Sequence, residues 1–148
     1  MIVRLFNVIG PRQTGRYGMV LPRFVHQATT GDPITVYGPG EQTRCFVAVE
    51  DVVPALVQLI EQPRAHGKVV NLGGDHEISM EQLALLVRDV LDSSSPIVHI
   101  PFDSAYGDGF EEVPHRVPEL SRARDLIGFR TTRDLAQIVR SVAAARAP

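Results

Sequence analysis

The sequence predicts an α/β fold, and three observations carry that expectation. Short apolar runs rich in β-branched residues, such as ITVY at Ile34–Tyr37 and VVNL at Val69–Leu72, read as strands. Longer stretches between them repeat apolar residues at helical spacing, with glycine or a capping residue at their ends. Strands therefore alternate with helices along the chain instead of clustering. The 148 residues suffice for one domain with a real core, and 44% hydrophobic with 22% charged residues is ordinary for a folded globular chain. The sequence holds no internal repeat, low-complexity tract or second domain.

The elements follow in order. Ile2 to Phe6 reads as a strand emptying into a loop from Asn7 to Gly18, a position where the C-terminal edge of a sheet binds ligands. Val20, Leu21, Phe24, Val25 and Ala28 predict a helix over Val20 to Thr30, ended by Gly31. Strands at Ile34 to Tyr37 and Cys45 to Val49 flank a turn at Gly38 to Gly40. Asp51 is suited to cap a helix carrying Val52, Val53, Leu56, Leu59 and Ile60, and Pro54 falls in its first turn, where a missing amide is tolerated. A strand at Val69 to Leu72 closes on Gly73 and Gly74. Ser79 and Gln82 have capping-box spacing and open a helix with Leu83, Leu86, Val87, Val90 and Leu91 on one face. Ile97 to Ile100 reads as a strand and Phe102 to Pro118 as a long loop. Two helices follow, one around Leu120 to Ile127 stopped by Gly128, the other from Thr132 to Arg146 with Leu135, Ile138, Val139 and Val142 inward.

Several function classes find no support. A net charge of -2 and a pI near 6.2 give no basis for general nucleic-acid or anionic-membrane binding. Cys45 is alone, so no intrachain disulfide forms, and no segment approaches the roughly 20 apolar residues of a bilayer span. A cytoplasmic location is expected. His26, His66, His76, His99 and His115 form no His-x-x-x-His pair, and neither Cys-x-x-Cys nor Gly-x-Ser-x-Gly occurs, so metal and serine-hydrolase chemistry lack a motif. Gly38-Pro39-Gly40 comes nearest to a dinucleotide fingerprint. Thr43 stands where its third glycine belongs, and the segment leads into a strand where a helix is needed. The fifteen basic residues include one lysine, Lys68; the arginine bias reflects genome base composition or a use for bidentate phosphate contacts.

Three runs carry a resemblance: RLFNVIGPRQTGRYGMVLPRFV from Arg4, PITVYGPGEQTRCFVAVED ending at Asp51, and YGDGFEEVPHRVPEL from Tyr106 to Leu120. They resemble the nucleotide-sugar epimerases, dehydratases and decarboxylases of the extended short-chain dehydrogenase/reductase family. The third run looks like the late substrate loop of UDP-glucuronate-processing members. The resemblance implies the C-terminal, substrate-binding part of such an enzyme, with the Rossmann cofactor half largely missing and its glycine loop and Tyr-x-x-x-Lys pair upstream. No such pair occurs here, because the residue four before Lys68 is Arg64. The implied ligand is a UDP-sugar, the implied cofactor of the whole enzyme is NAD, and the implied partners are an N-terminal cofactor domain and a second copy in a homodimer.

By the same resemblance the substrate-binding positions are Asn7, Arg12, Val20, Val36, Tyr37, Arg44, Phe46, Arg116 and Glu119. Asn7 matches an asparagine whose amide contacts the diphosphate or sugar, although asparagine also suits a turn after a strand. Arg12 meets a substrate carboxylate or pairs within its loop. The strand from Ile34 to Tyr37, Val36 included, presents backbone groups to uracil. Arg44 binds the diphosphate, for which a guanidinium fork is well shaped. Tyr37 and Phe46 offer an apolar face to base or ribose, or else are core aromatics. Ala48 falls where many relatives have tyrosine. Arg116 grips the diphosphate or lies near the sugar, against a capping role or a pairing with Glu111 or Glu112. Glu119 stands in for an aspartate that contacts ribose. The loop with Gly107-Asp108-Gly109 suits a lid. Two functions remain open: part of an NAD-dependent enzyme, or a stand-alone UDP-sugar-binding module. In either case the isolated chain is expected to turn nothing over, and Ile2 to Phe6 is expected to leave a sheet edge exposed.

Overall fold

The computed structural model describes residues 1–13, 19–106 and 113–145, with Tyr106 described by its backbone alone. Strand β1 (Ile2–Leu5) lies parallel to β6 (Val69–Leu72), with Ile2 opposite Val69 and Leu5 opposite Leu72. The short β2 (Val8–Ile9) lies parallel to β5 (Val47–Ala48), and β3 (Ile34–Tyr37) lies parallel to β8 (Ile97–Ile100). In the remaining sheet β4 (Thr43–Cys45) is central, between the antiparallel β7 (Glu77–Ser79) and the parallel β9 (His115–Arg116). Parallel neighbours require crossover connections, and helices provide them here.

Helix α1 (Val20–Thr30) forms because Leu21, Phe24, Val25 and Ala28 share one buried face, and Gly31 ends it in the left-handed region at φ 78°. Helix α3 (Met80–Val90) opens with the expected capping box: the Gln82 amide donates to Ser79 Oγ at 3.1 Å and the Ser79 amide to Gln82 Oε1 at 3.2 Å. Helix α6 (Leu135–Ala144) repeats the device with Asp134 and Gln137. Two apolar clusters result. One joins α1, α3, α6 and β3 through Phe24, Ile34, Val36, Leu83, Val87, Val139 and Val142. The other joins α2 (Val49–Glu61), α5 (Ser121–Ile127) and β6 through Val52, Leu59, Val70, Leu72, Ala123 and Leu126. Full burial of each large side chain contributes about 1.5–3 kcal/mol.

The structure differs from expectation at several boundaries. The strand expected from Cys45 to Val49 is two short strands, and α2 begins at Val49 behind Ala48, which makes no side-chain cap. Asp51 is thus inside the first turn. Its carboxylate instead accepts the amides of Thr132 and Arg133, at 3.1 and 3.4 Å, and the Thr132 hydroxyl, tying α2 to the segment before α6. The long loop after Ile100 contains a helix, α4 (Phe102–Tyr106), and the strand β9. The loop after Phe6 contains β2, and Glu77–Ser79 forms a strand that no local pattern announces. The final helix starts at Leu135, where Asp134 caps it, and Arg146 lies outside the described residues, as does the segment 107–112 on which the expected lid falls.

Candidate functional site

Strand β9 carries Arg116 to a place directly opposite Arg44 on β4. Register partners in a ladder project to one face of the sheet, so two arginines far apart in sequence stand side by side there. Like charges opposite each other destabilise a strand pair, unless an anion lies between them. Arg44 leans toward the chain entering β9, its Nη1 donating to the carbonyls of Thr43 at 2.7 Å and Val113 at 2.9 Å. Among the described residues the Arg116 side chain makes no hydrogen bond or ion pair, and it is exposed. The arrangement suits two charge-assisted contacts to a polyanion such as a diphosphate.

The opposite face of the same sheet gathers Thr43, Glu77 and His115. His115 Nδ1 lies 3.1 Å from Glu77 Oε1 and 2.9 Å from Thr43 Oγ1, and the Thr43 hydroxyl donates to Glu77. The hydroxyl bond from Thr43, followed by that from His115, holds the Glu77 carboxyl below the usual carboxylate range. Hydroxyl and carboxylate meet the same ring nitrogen, whereas a nucleophilic triad needs them on opposite nitrogens. Beneath, Cys45 is buried, and that burial, with the Glu77 and Asp75 charges, pushes its thiol up.

The other expected positions are distributed around this sheet. Asn7 adopts φ 40°, a left-handed conformation asparagine tolerates, and its Nδ2 donates to the Cys45 carbonyl at 2.8 Å. It joins the end of β1 to the end of β4. Arg12 also has a positive φ, 65°, and is exposed at a cleft of about 370 Å³ shared with Val8, Gly10, Pro11, Gln13 and Val49. Val20 is the half-buried first residue of α1.

Val36 is fully buried in the first cluster, so only its backbone is available to a ligand. The outer edge of β3 is largely occupied. The Thr35 amide donates to Gln27 Oε1 at 3.1 Å, its carbonyl accepts Arg23 Nη2 at 3.0 Å, and the Tyr37 carbonyl accepts Gln42 Nε2 at 2.8 Å. The Arg23 guanidinium carbon also sits 3.9 Å from the Tyr37 ring centroid, a cation–π contact. Phe46 is 9% exposed and walls a cavity of about 380 Å³ with Ile78, Leu86 and Leu135. Glu119 accepts the Ser121 amide at 2.7 Å, satisfying the start of α5, and this bond lowers its carboxyl.

Sequence reasoning passed over Arg23 and Gln27, which sit four apart on one helical face and therefore reach the same strand edge. The turn at Gly38 to Gly40 does not fit the dinucleotide. Gly38 and Gly40 have φ of 68° and 77° and form the turn from β3 to β4. A Cβ on Gly38 would lie 2.2 Å from the Phe102 ring, and one on Gly40 would lie 3.1 Å from Glu81 Cβ, so side chains fill the space a pyrophosphate needs.

Comparison with known proteins agrees with this fold. Residues 1–73 match the family model described as the NAD dependent epimerase/dehydratase family. The UDP-N-acetyl-alpha-D-glucosaminuronate decarboxylase of Bacillus cytotoxicus is 41% identical over 129 residues, covering 86% of this chain and 40% of that protein. The UDP-glucuronic acid decarboxylase 4 of Arabidopsis thaliana is 38% identical over 129 residues, covering 86% of this chain and 27% of that protein. The structure of the UDP-glucuronic acid 4-epimerase from Bacillus cereus, solved with UDP-glucuronic acid and NAD, has a TM-score of 0.83 at 26% identity, covering 97% of this chain and 44% of that one. The chain thus spans less than half the length of these relatives. Over residues 1–73 it matches the NAD dependent epimerase/dehydratase family, and it has the α/β fold of part of the solved epimerase structures it resembles.

Proposed function

We propose that this chain is the substrate-binding part of an NAD-dependent enzyme acting on a UDP-sugar of the glucuronate type. The observation that carries the reading is the placement of Arg44 and Arg116 opposite each other across β4 and β9. A diphosphate between them would relieve their repulsion and accept from both guanidinium groups. The relatives named for UDP-glucuronic acid and its N-acetylglucosaminuronate counterpart support the sugar class. When bound, NAD supplies the redox step, and this chain supplies grip and orientation. A separate cofactor-binding part is supported by β1, whose only strand partner among the described residues is β6 and on which Ile2 and Leu5 are exposed. Val53, Val57 and Ile60 on α2 are likewise exposed. Parallel strands are ordinarily covered on both faces, so a further strand and helix beside β1 would complete the layer. The complete enzyme would be a homodimer.

Calorimetric titration with UDP-glucuronate tests the grip. Arg44→Met and Arg116→Met are each expected to weaken binding by about 10- to 100-fold, the worth of a charge-assisted bond. Absence of binding, or affinity unchanged in both variants, would overturn the reading. A stand-alone UDP-sugar-binding module is the second reading. Identical binding with no partner protein captured by the apolar β1 surface would favour that alternative.

A further inference from the structure

We propose that His115 and Glu77 are a proton-controlled positioning pair for Arg116, drawing β9 onto β4 as the imidazole ring becomes charged. Strand β9 has two residues and lies in register on β4, with further contacts beside the ladder. The Thr43 amide donates to the Pro114 carbonyl at 2.8 Å, Arg44 reaches the Val113 carbonyl at 2.9 Å, and His115 Nδ1 lies 3.1 Å from Glu77 and 2.9 Å from Thr43. Of these contacts the imidazole one involves histidine, the side-chain type suited to switching charge in the physiological pH range. Because the Thr43 hydroxyl donates to Glu77, the ring nitrogen faces oxygen lone pairs from both residues. A hydrogen on Nδ1 is therefore required. A neutral ring provides it in one tautomer of two, whereas the imidazolium always provides it and adds attraction to the carboxylate.

The charged groups around the ring act in a consistent direction. Glu77 on β7 is in contact, while Arg44 and Arg116 project to the opposite face of the sheet. Cys45 on β4 is buried, and Asp75, ahead of β7, pairs with Arg124 at 3.3 Å and with His76 at 3.7 Å. Among the described residues the full charge in contact with the ring is thus the Glu77 carboxylate, and the ring itself is exposed to solvent. Arg116 follows His115 directly, so the docking of β9 fixes the distance between the two guanidinium groups. His115 and Glu77 would touch no ligand; they act through Arg116.

The ligand in this inference rests on the diphosphate reading above, and the test separates the two. UDP-glucose serves as probe, because both its phosphates are esterified and its charge is constant between about pH 5.5 and about pH 8, on either side of the ordinary histidine range. Wild type is expected to bind several-fold more tightly at the lower pH, and His115→Gln and Glu77→Gln to lose most of that dependence. Equal wild-type affinity at both values, or an undiminished slope in His115→Gln, overturns the proposal if binding occurs. Without ligand, hydrogen exchange at the Thr43 amide should show more protection in wild type than in His115→Gln at the lower pH only. If UDP-glucose binds no variant while that difference persists, the diphosphate reading falls and the positioning pair stands. Equal protection in both proteins at both pH values overturns the pair.

Discussion

Gly74→Ala probes a close approach of main chain to main chain, between Gly74 and Phe46. A methyl group placed on Gly74 falls 2.1 Å from the Phe46 carbonyl oxygen, 2.8 Å from its carbon and 3.1 Å from its nitrogen. Tolerable carbon–oxygen approaches begin at about 3.3 Å, so roughly 1 Å must be recovered. All three atoms are main chain, and the flanking residues Cys45 and Val47 are buried, so no flexible side chain can give way. Overpacking of a tight interior typically costs about 1–3 kcal/mol. Backbone against backbone belongs at the upper end, near 3 kcal/mol, a large part of a total stability of about 5–15 kcal/mol. With a urea slope of about 2 kcal/mol/M, the unfolding midpoint should fall by about 1.5 M. Gly31→Ala is the control: its φ is 78° but no atom lies within 4 Å, leaving only left-handed strain of about 1–2 kcal/mol. A Gly74→Ala midpoint equal to wild type, or above that of Gly31→Ala, refutes the reasoning.

Two further outcomes follow from the protonation of groups in the same sheet. Glu77 titrates below its ordinary value when folded, so its ionised form contributes stability above about pH 4.3 that is lost as pH falls through the lowered value. Glu77→Gln should therefore be less stable than wild type at neutral pH and converge with it in acid, as urea midpoints at several pH values will report; a constant difference contradicts the assignment. Cys45 is buried with its thiol pushed up, first by burial and then by the Glu77 and Asp75 charges, so a disulfide reagent at neutral pH should react slowly with native protein and rapidly in urea. Rapid labelling of the native chain would contradict the burial.

The helices were legible because their signals are local. Leu83 and Val87 recur at helical spacing behind Ser79 and Gln82, and Gly31 and Gly128 stop α1 and α5 in the left-handed region. Asp51 misled because an acidic residue near a helix start has two uses, and the choice here was made by Thr132, distant in sequence. The short strands β2, β7 and β9 were not legible, since two or three residues carry no periodicity and exist only through their partners. The same physics divides the site. Arg44 and Arg116 stand out through the resemblance, yet their adjacency is a property of register. Thr43, Glu77 and His115 come from three different strands, and no spacing within any of them announces the cluster.

The packing of α6 has a consequence for how the protein is made. Val139 and Val142 complete the cluster begun by Phe24 on α1 and Leu83 on α3. Synthesis proceeds from the N-terminus, so α1 and α3 leave the ribosome long before the helix that covers them. Until residues 135–144 emerge, the nascent chain presents Phe24, Val25 and Leu83 to water or to chaperones. A stop codon ahead of Leu135 would make that transient exposure permanent, turning a folded product into a substrate for aggregation and proteolysis.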